Sequence, residues 1–331
     1  MHKLLIVQPL HTEAMALLDG RADVEFAVIT DVSEDNLLAN IAGVEAITIR
    51  DAVLPRSVVD ASDCLVVISR HGVGYDNIPL DLCTQRGIPV TLVGAANAVS
   101  VAEQTILLML AAARVTIKLD NAVRRGDFGA RSRDLGVELR GRTLVLVGYG
   151  RMGREVAARA AAFGMHVCVV DPYLSSVDAS VEHITSLDAA LSRADVVSLH
   201  VPLTDETRNL IGARELELMR PGSILVNASR GGLVDELALL DSVQSGHLHG
   251  AGLDTFAVEP VPDDSPLLSE PRIVLSPHSA ALTEQALISM GVTTVRNALA
   301  GLDGTLDPEL VVNPSTLADH RTADRQIEGL A

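Results

Sequence analysis

Short runs of apolar, often β-branched residues alternate along the chain with longer segments of helical periodicity. The runs fall at residues 4–7, 24–28, 46–49, 65–68 and 89–93, and then at 143–148, 166–171, 196–200, 223–228, 250–254 and 273–276. Strands that are apolar on both faces and separated by helices are typical of parallel sheets covered on both sides. The pattern therefore predicts an α/β fold with two parallel sheets, the first built from five strands and the second from six.

Two long helical segments border the second group of strands. The first has Ser100 and Glu103 at the S-x-x-E spacing of a capping box, which predicts its start there, and it runs to about Ala113. The second covers residues 282–300 and is predicted to end at Gly301. Helices at both borders predict that the chain leaves the first domain and later returns to it.

Composition narrows the possible partners. The 331 residues carry a formal net charge of −17, which disfavours binding to nucleic acid or to an anionic membrane surface. Aromatic residues make up 2% and Trp is absent, so the cores must be aliphatic. The three cysteines form no CxxC pair, which favours a reducing compartment and a cytoplasmic location. No apolar stretch is typical of a signal peptide or a membrane span.

A glycine-rich turn follows the strand predicted at residues 143–148. Gly148, Gly150 and Gly153 have the G-x-G-x-x-G spacing that brings a helix N-terminus close to a pyrophosphate. Asp171 ends the next strand, where a carboxylate accepts hydrogen bonds from an adenosine ribose. No Arg or Lys follows in the next four residues to receive a 2′-phosphate. The segment therefore predicts an NAD site rather than an NADP site.

Three later strands of the second group end in loops that carry Arg230, Glu259 and His278. Ligands of open α/β sheets bind at the carboxyl ends of the strands. An arginine can hold a carboxylate through two hydrogen bonds, and a histidine can exchange a proton near neutral pH. A glutamate beside that histidine would orient it and favour its charged form. Each residue alone could be an ordinary loop residue, but together they indicate a catalytic site.

The segments GYGRMG, VVDPY, VNASRGGLVDE, GAGLDTFAVEP and LSPHSAALT together resemble the D-isomer-specific 2-hydroxyacid dehydrogenases, and especially their short 3-phosphoglycerate dehydrogenase-like branch. The resemblance extends to RHGVGYDNI in the first domain. It implies two Rossmann/flavodoxin-like parallel-sheet domains. The substrate domain would comprise residues 1–98 and 286–331, and the inserted NAD domain residues 99–285. The resemblance also implies a homodimer formed through the NAD domain.

The resemblance assigns roles to individual residues. Arg230 is expected to bind substrate, His278 to act as the acid/base, and Glu259 to pair with His278. The cofactor contacts that we expect are Gly148, Gly150, Arg151, Met152, Gly153, Asp171, His200, Val201, Pro202, Thr207, Ala228, Ser229, Arg230, Asp254, His278 and Ala280. We expect no metal site, because the nicotinamide accepts the hydride.

The first domain contributes an expected substrate loop. The backbone N–H groups of Gly72, Val73 and Gly74 could cradle the substrate carboxylate, since glycine allows close approach. Arg70 and His71 allow two interpretations: they contact a second anionic group on the substrate, or they are solvated loop residues.

The sequence thus predicts an NAD-dependent oxidoreductase that transfers a hydride to or from C2 of a D-2-hydroxy acid, with a substrate like 3-phosphoglycerate or hydroxypyruvate. Two alternatives remain at this point. Formate-dehydrogenase-like enzymes share the pattern but carry Gln where Glu259 stands. Corepressors of the same fold sense dinucleotides and need a peptide-docking surface, which the sequence neither indicates nor excludes.

Overall fold

The computed structural model describes residues 1–174 and 176–317. The chain divides into two compact units, one formed by Met1–Asn97 with Thr283–Ala331 and the other by Ala98–Leu282. The borders predicted from the sequence differ from these by one and three residues. The last part of the predicted substrate domain, residues 318–331, lies outside the described residues.

The strands of the described residues are β1 (His2–Val7), β2 (Val24–Ile29), β3 (Ala46–Ile49), β4 (Val67–Arg70), β5 (Val90–Thr91), β6 (Thr143–Val147), β7 (His166–Val170), β8 (Glu182–His183), β9 (Val196–Leu199), β10 (Ile224–Asn227), β11 (Gly250–Leu253) and β12 (Ile273–Leu275). The helices are α1 (Thr12–Met15), α2 (Glu34–Asn40), α3 (Arg56–Asp60), α4 (Leu80–Gln85), α5 (Ala98–Ala113), α6 (Thr116–Arg124), α7 (Arg151–Ala162), α8 (Leu187–Leu191), α9 (Ala213–Leu218), α10 (Glu236–Gln244) and α11 (Glu284–Leu302).

The first unit contains a five-stranded parallel sheet in the order β2-β1-β3-β4-β5. This is the doubly wound order in which ligands bind where the strand order reverses, between β1 and β3. Two aliphatic clusters cover its two faces, one including Leu5, Ile47 and Ile68 and the other including Ile6 and Val67. Alternate residues of one strand thus pack on opposite faces, as the apolar runs predict.

The second unit contains a seven-stranded parallel sheet in the order β12-β11-β10-β9-β6-β7-β8. The order reverses between β6 and β9, and these two strands are direct neighbours. The carboxyl ends of β6, β7, β9, β10, β11 and β12 all meet at one edge because every pair is parallel. The prediction of two parallel α/β sheets is confirmed, although β8 was not predicted because it has only two residues and both are polar.

Two predicted helix limits are wrong. Helix α5 begins at Ala98, so Ser100 is its third residue and does not cap it. Ala98 is buried one turn before Ala102, which shows that the apolar face begins earlier than the capping pattern indicates. Gly301 does not end α11, which continues to Leu302. A Cβ at Gly301 would lie 2.3 Å from a methyl carbon of Val67, so this glycine allows close packing of helix on strand.

Within the described residues, no single helix is long and apolar enough to cross a membrane. Helices α5 and α6 reach that length and composition only as a pair, and the chain bends by 63° between them.

Candidate active site

The glycine-rich turn after β6 is tightly packed, and at two of its glycines a side chain would collide with the neighbouring backbone. Gly148 has φ of +95°, and a Cβ there would lie 2.5 Å from the carbonyl oxygen of His200. A Cβ at Gly153 would lie 2.5 Å from the carbonyl oxygen of Gly148. These contacts hold the first turn of α7 against the ends of β6 and β9.

Gly150 differs from its two neighbours, because a Cβ there would meet no atom within 4 Å. It precedes Arg151 and Met152 at the start of the 12-residue helix α7, whose first turn has no side-chain cap. Uncapped N–H groups at a helix start bind anions, and the helix dipole favours negative charge there. The open space at Gly150 and the free helix start together fit a pyrophosphate.

Asp171 is held in place by backbone donors. Its Oδ2 accepts a hydrogen bond of 2.9 Å from the Tyr149 N–H, and its Oδ1 accepts one of 3.0 Å from the Tyr173 N–H. The carboxylate thus lies beside the glycine turn at the end of β7, as expected for a ribose ligand.

The loop after β9 completes this side of the sheet. His200 is partly exposed as a residue, but its imidazole is turned inward: Nε2 lies 2.9 Å from the Ser198 hydroxyl, Nδ1 is buried, and burial lowers the pKa of the ring to about 4. Its imidazole is therefore neutral at physiological pH, and its carbonyl packs on Gly148. Thr207 donates a hydrogen bond of 2.7 Å to the Pro202 carbonyl, which folds the loop that contains Val201 and Pro202.

Arg230 lies in the loop after β10, which is tied down by its own side chains. The Asn227 side-chain amide donates a hydrogen bond of 2.8 Å to the Arg230 carbonyl. The Ser229 hydroxyl donates one of 2.8 Å to the Leu199 carbonyl. Ala228 is buried between them. These bonds fix the backbone of the loop, and the Arg230 guanidinium donates a hydrogen bond of 2.7 Å to the Ser229 carbonyl.

The next residue, Gly231, brings the Arg230 loop against the loop after β11. A Cβ at Gly231 would lie 1.7 Å from the carbonyl oxygen of Phe256 and 2.6 Å from the backbone nitrogen of Ala257. No side chain fits there, so glycine is required for the two loops to touch.

Glu259 and His278 form a pair at the same edge. Glu259 Oε2 lies 2.8 Å from His278 Nδ1, and Glu259 Oε1 accepts a hydrogen bond of 2.9 Å from the Phe256 N–H. The His278 side chain is 47% exposed, so the imidazole is in part accessible to solvent. His278 has φ of +50°, a strained conformation for this residue type that is concentrated at functional sites.

Asp254 is hydrogen-bonded to the loop that carries His278. Its buried carboxylate accepts hydrogen bonds of 2.5 Å from the Ser276 hydroxyl, 3.0 Å from the Ser279 N–H and 2.9 Å from the Ala280 N–H. Its backbone carbonyl accepts one of 2.7 Å from the His278 N–H. The expected cofactor contacts Asp254 and Ala280 are thus bonded to each other, and Asp254 fixes the position of His278.

The expected substrate loop lies in the first unit, after β4. Arg70 is 9% exposed, and its Nε donates a hydrogen bond of 3.1 Å to the Asn77 side chain. His71 is 6% exposed, and burial, followed by Arg50 and Arg70, lowers its pKa to about 4. The interpretation of Arg70 and His71 as solvated loop residues is therefore wrong. Gly72 follows with Val73 and Gly74, and a Cβ on Gly72 would lie 2.8 Å from Arg70 Nη1.

Two residues of interest were missed by the sequence analysis. Arg50 directly follows β3, whose last residue Ile49 pairs with Arg70, so it adds a second arginine beside His71. An arginine at the end of a buried strand next to the Arg70 strand was the available signal. Glu236 opens α10 and accepts a hydrogen bond of 2.6 Å from the Ala257 N–H. Its position at a helix start concealed it, because acidic residues are common there.

The chain is similar to a known protein family and to several proteins of assigned activity. Residues 106–280 match the NAD binding domain of the D-isomer specific 2-hydroxyacid dehydrogenases. The chain is 38% identical over 319 residues to a D-3-phosphoglycerate dehydrogenase of Methanocaldococcus jannaschii, with 95% of this chain and 60% of that protein covered. It is 37% identical to a hydroxypyruvate reductase of Thermotoga maritima, with 89% of this chain and 96% of that protein covered.

A solved structure is also similar to the chain. The D-lactate dehydrogenase of Aquifex aeolicus, complexed with NAD and lactic acid, superposes with a TM-score of 0.81 at 28% identity, covering 94% of this chain and 99% of that one. The chain spans about 60% of the length of the curated phosphoglycerate dehydrogenases that it matches.

The glycine turn generates a test of the dinucleotide site. Gly150→Ala should leave the unfolding midpoint unchanged, since the added methyl meets no atom, but it should weaken NADH binding at least about tenfold by intruding on the pyrophosphate. Gly153→Ala should lower the unfolding midpoint as well, because of the Gly148 carbonyl. Thermal unfolding and NADH fluorescence titration measure both effects. Unchanged NADH affinity in Gly150→Ala would place the cofactor elsewhere.

Proposed function

The chain belongs to the D-isomer-specific 2-hydroxyacid dehydrogenase family, and from this premise we propose that it transfers a hydride reversibly between NAD and C2 of a D-2-hydroxy acid. The observation that carries the proposal is the pairing of Glu259 with His278 at 2.8 Å. This pair lies at the same sheet edge as the glycine turn of the NAD-binding domain. A half-exposed histidine held by a carboxylate is suited to exchange a proton with a bound substrate.

The residues of the second unit divide the chemistry among them. NAD held by the glycine turn at residues 148–153 and by Asp171 would accept the hydride in oxidation, and NADH held there would supply it in reduction. Glu259 holds Nδ1 of His278, so that Nε2 takes the hydroxyl proton during oxidation and returns it to the carbonyl oxygen during reduction. Such acid/base assistance contributes about 10²–10⁴ in rate. Arg230 binds the substrate carboxylate and polarises the oxygen at C2.

We further propose that residues of the first unit contact the substrate. The backbone N–H groups of Gly72, Val73 and Gly74 would bind the carboxylate. Arg70 and Arg50 both act on the neutral His71, and this positive charge, which Asp51 offsets in part at 3.7 Å from Arg70, favours a substrate with a second anionic group. The relatives include a D-3-phosphoglycerate dehydrogenase, whose name indicates a substrate with a phosphate as the second anionic group. They also include a hydroxypyruvate reductase, whose name indicates a substrate without one.

The cofactor preference can be tested at Asp171. Asp171→Ala should reduce the preference for NAD over NADP by about tenfold, because it removes hydrogen bonds to the ribose and the repulsion of a 2′-phosphate. The measurement is the ratio of kcat/KM for the two cofactors, and Asp241→Ala, which removes an exposed carboxylate of α10, is the control. A wild type that uses NAD and NADP with equal efficiency would show that Asp171 does not select the cofactor.

The role of Glu259 can be tested through the pH dependence of activity. A carboxylate beside His278 favours the imidazolium, so Glu259→Gln should favour the neutral ring. Reduction needs the protonated ring, and its alkaline limb should move to lower pH in the variant. Oxidation needs the neutral ring, and its acidic limb should also move to lower pH. The measurement is kcat/KM against pH in both directions, and superimposable wild-type and variant profiles would remove Glu259 from the catalytic set.

We also propose a homodimer formed through the NAD domain. Five large apolar side chains of neighbouring elements in the second unit are exposed by 41–71%: Leu107, Ile117, Val123, Phe128 and Leu135. We propose that these side chains form one apolar patch, since exposed apolar patches mark interfaces, and a second copy of the chain is the occupant that the family suggests.

We propose a cytoplasmic location, which the three free cysteines support. The charge of −17 supports a small-molecule partner rather than nucleic acid or membrane.

The dimer can be tested by charge insertion. Phe128→Glu with Leu135→Lys should halve the mass measured by light scattering, because both substitutions would place charge in an apolar interface. Leu268→Lys is the control, since Leu268 is 50% exposed and lies outside the patch. A wild type of monomeric mass, or a patch variant of unchanged dimeric mass, would contradict the proposal.

A further inference from the structure

Glu236 is the first residue of α10, but its carboxylate does not cap the helix. The preceding residue, Asp235, caps α10 by accepting hydrogen bonds of 3.1 Å from the N–H groups of Leu237 and Ala238. Glu236 instead extends to the loop after β11, where its Oε1 accepts the bond of 2.6 Å from the Ala257 N–H.

The segment that Glu236 contacts connects the main groups of the proposed site. The Phe256 carbonyl packs on Gly231, next to Arg230. The Phe256 N–H is bonded to Glu259, and the next N–H along the chain, that of Ala257, is bonded to Glu236. Two carboxylates therefore hold two successive N–H groups of one short turn. Any shift of Ala257 would move Glu259 relative to His278.

The electrostatic environment of Glu236 indicates that this arrangement is costly. The pKa of Glu236 is raised above its ordinary value, chiefly by burial and then by the charges of Glu259 and Asp235, although the Ala257 N–H acts in the opposite direction. A half-buried carboxylate next to a second carboxylate is unfavourable unless a positive charge is present nearby. A protonated His278 would supply such a charge.

We propose that Glu236 is a positioning residue for the proton transfer, which sets the contact between Glu259 and His278 through the Ala257 N–H and favours the imidazolium by its charge. The inference rests on the proposed dehydrogenase function. The other charged groups on the elements that meet at this turn are Asp235 on α10, which also acts on Glu236, Arg230 in the loop after β10, Asp254 at the end of β11, and Asp263 and Asp264 further along the loop after β11. Each of these is retained in every variant below.

Two substitutions separate position from charge. Glu236→Gln keeps an oxygen that can accept from Ala257 but removes the charge, so it should shift the alkaline limb of keto-acid reduction to lower pH with a small loss of kcat. Glu236→Ala removes both and should lower kcat at least about tenfold, with the KM for NADH little changed. Asp241→Asn, which neutralises an exposed carboxylate of the same helix, should do neither.

A double-mutant cycle distinguishes action through Glu259 from general damage. If Glu236 positions Glu259, the losses of kcat in Glu236→Ala and Glu259→Gln should not multiply, whereas the pH shift of Glu236→Gln, which comes from its own charge, should persist in the Glu259→Gln background. A purely structural role predicts multiplied losses and an unmoved pH limb in Glu236→Gln, and either result would overturn the proposal.

An NMR titration of the imidazole signals makes the test independent of turnover. The His278 signal, assigned by its loss in His278→Ala, should titrate at lower pH in Glu236→Gln than in the wild type and Asp241→Asn. If the wild type reduced no 2-keto acid, the proposed function would fail, but this titration would still decide whether Glu236 acts on the pair. Identical titrations of His278 in all folded proteins would refute the inference.

Discussion

The proposed site depends on one buried charge, the carboxylate of Asp254. A carboxylate removed from water is costly unless donors replace the lost hydration. Here the Ser276 hydroxyl and the N–H groups of Ser279 and Ala280 supply that replacement, and all three belong to the loop that carries His278. The same bonds that make Asp254 tolerable therefore hold His278 in its left-handed conformation. Asp254 therefore stabilises the loop that places His278 beside Glu259.

Three histidines show how the surroundings of one side-chain type assign different roles. The imidazole rings of His71 and His200 face the interior, and this burial lowers the pKa of each to about 4, so neither carries charge at neutral pH. His278 is half-exposed and lies beside the Glu259 carboxylate, so it combines exposure to solvent with a hydrogen-bond partner. The sequence motifs single out all three residues, but only the structure distinguishes the two inward-facing, neutral rings from the half-exposed ring that we propose as the proton carrier.

The features that were predictable from sequence are those with a local physical cause. The apolar runs gave both sheets because a strand buried on both faces must be apolar throughout, and the glycine spacing marked the turn after β6. The limits of α5 and α11 were not predictable in this way. Gly301 is required by a side chain of Val67, which lies more than two hundred residues away in sequence. Gly231 and Glu236 are likewise explained by contacts with Phe256 and Ala257, which only the folded chain brings together.

These long-range contacts converge on a single peptide group, the one between Phe256 and Ala257. Its carbonyl oxygen packs on Gly231 and its N–H bonds to Glu236, while the adjacent Phe256 N–H bonds to Glu259. In the proposed mechanism Arg230 orients the substrate and His278 moves the proton, and the two residues lie on different loops. Because the peptide group is planar and rigid, a displacement of its carbonyl oxygen also moves its N–H. The group therefore couples the loop that carries Arg230 to the loop that carries Glu259, the partner of His278. Substrate orientation and proton transfer therefore share one mechanical support, and a small substitution at Gly231 or Glu236 should disturb both functions without touching the substrate.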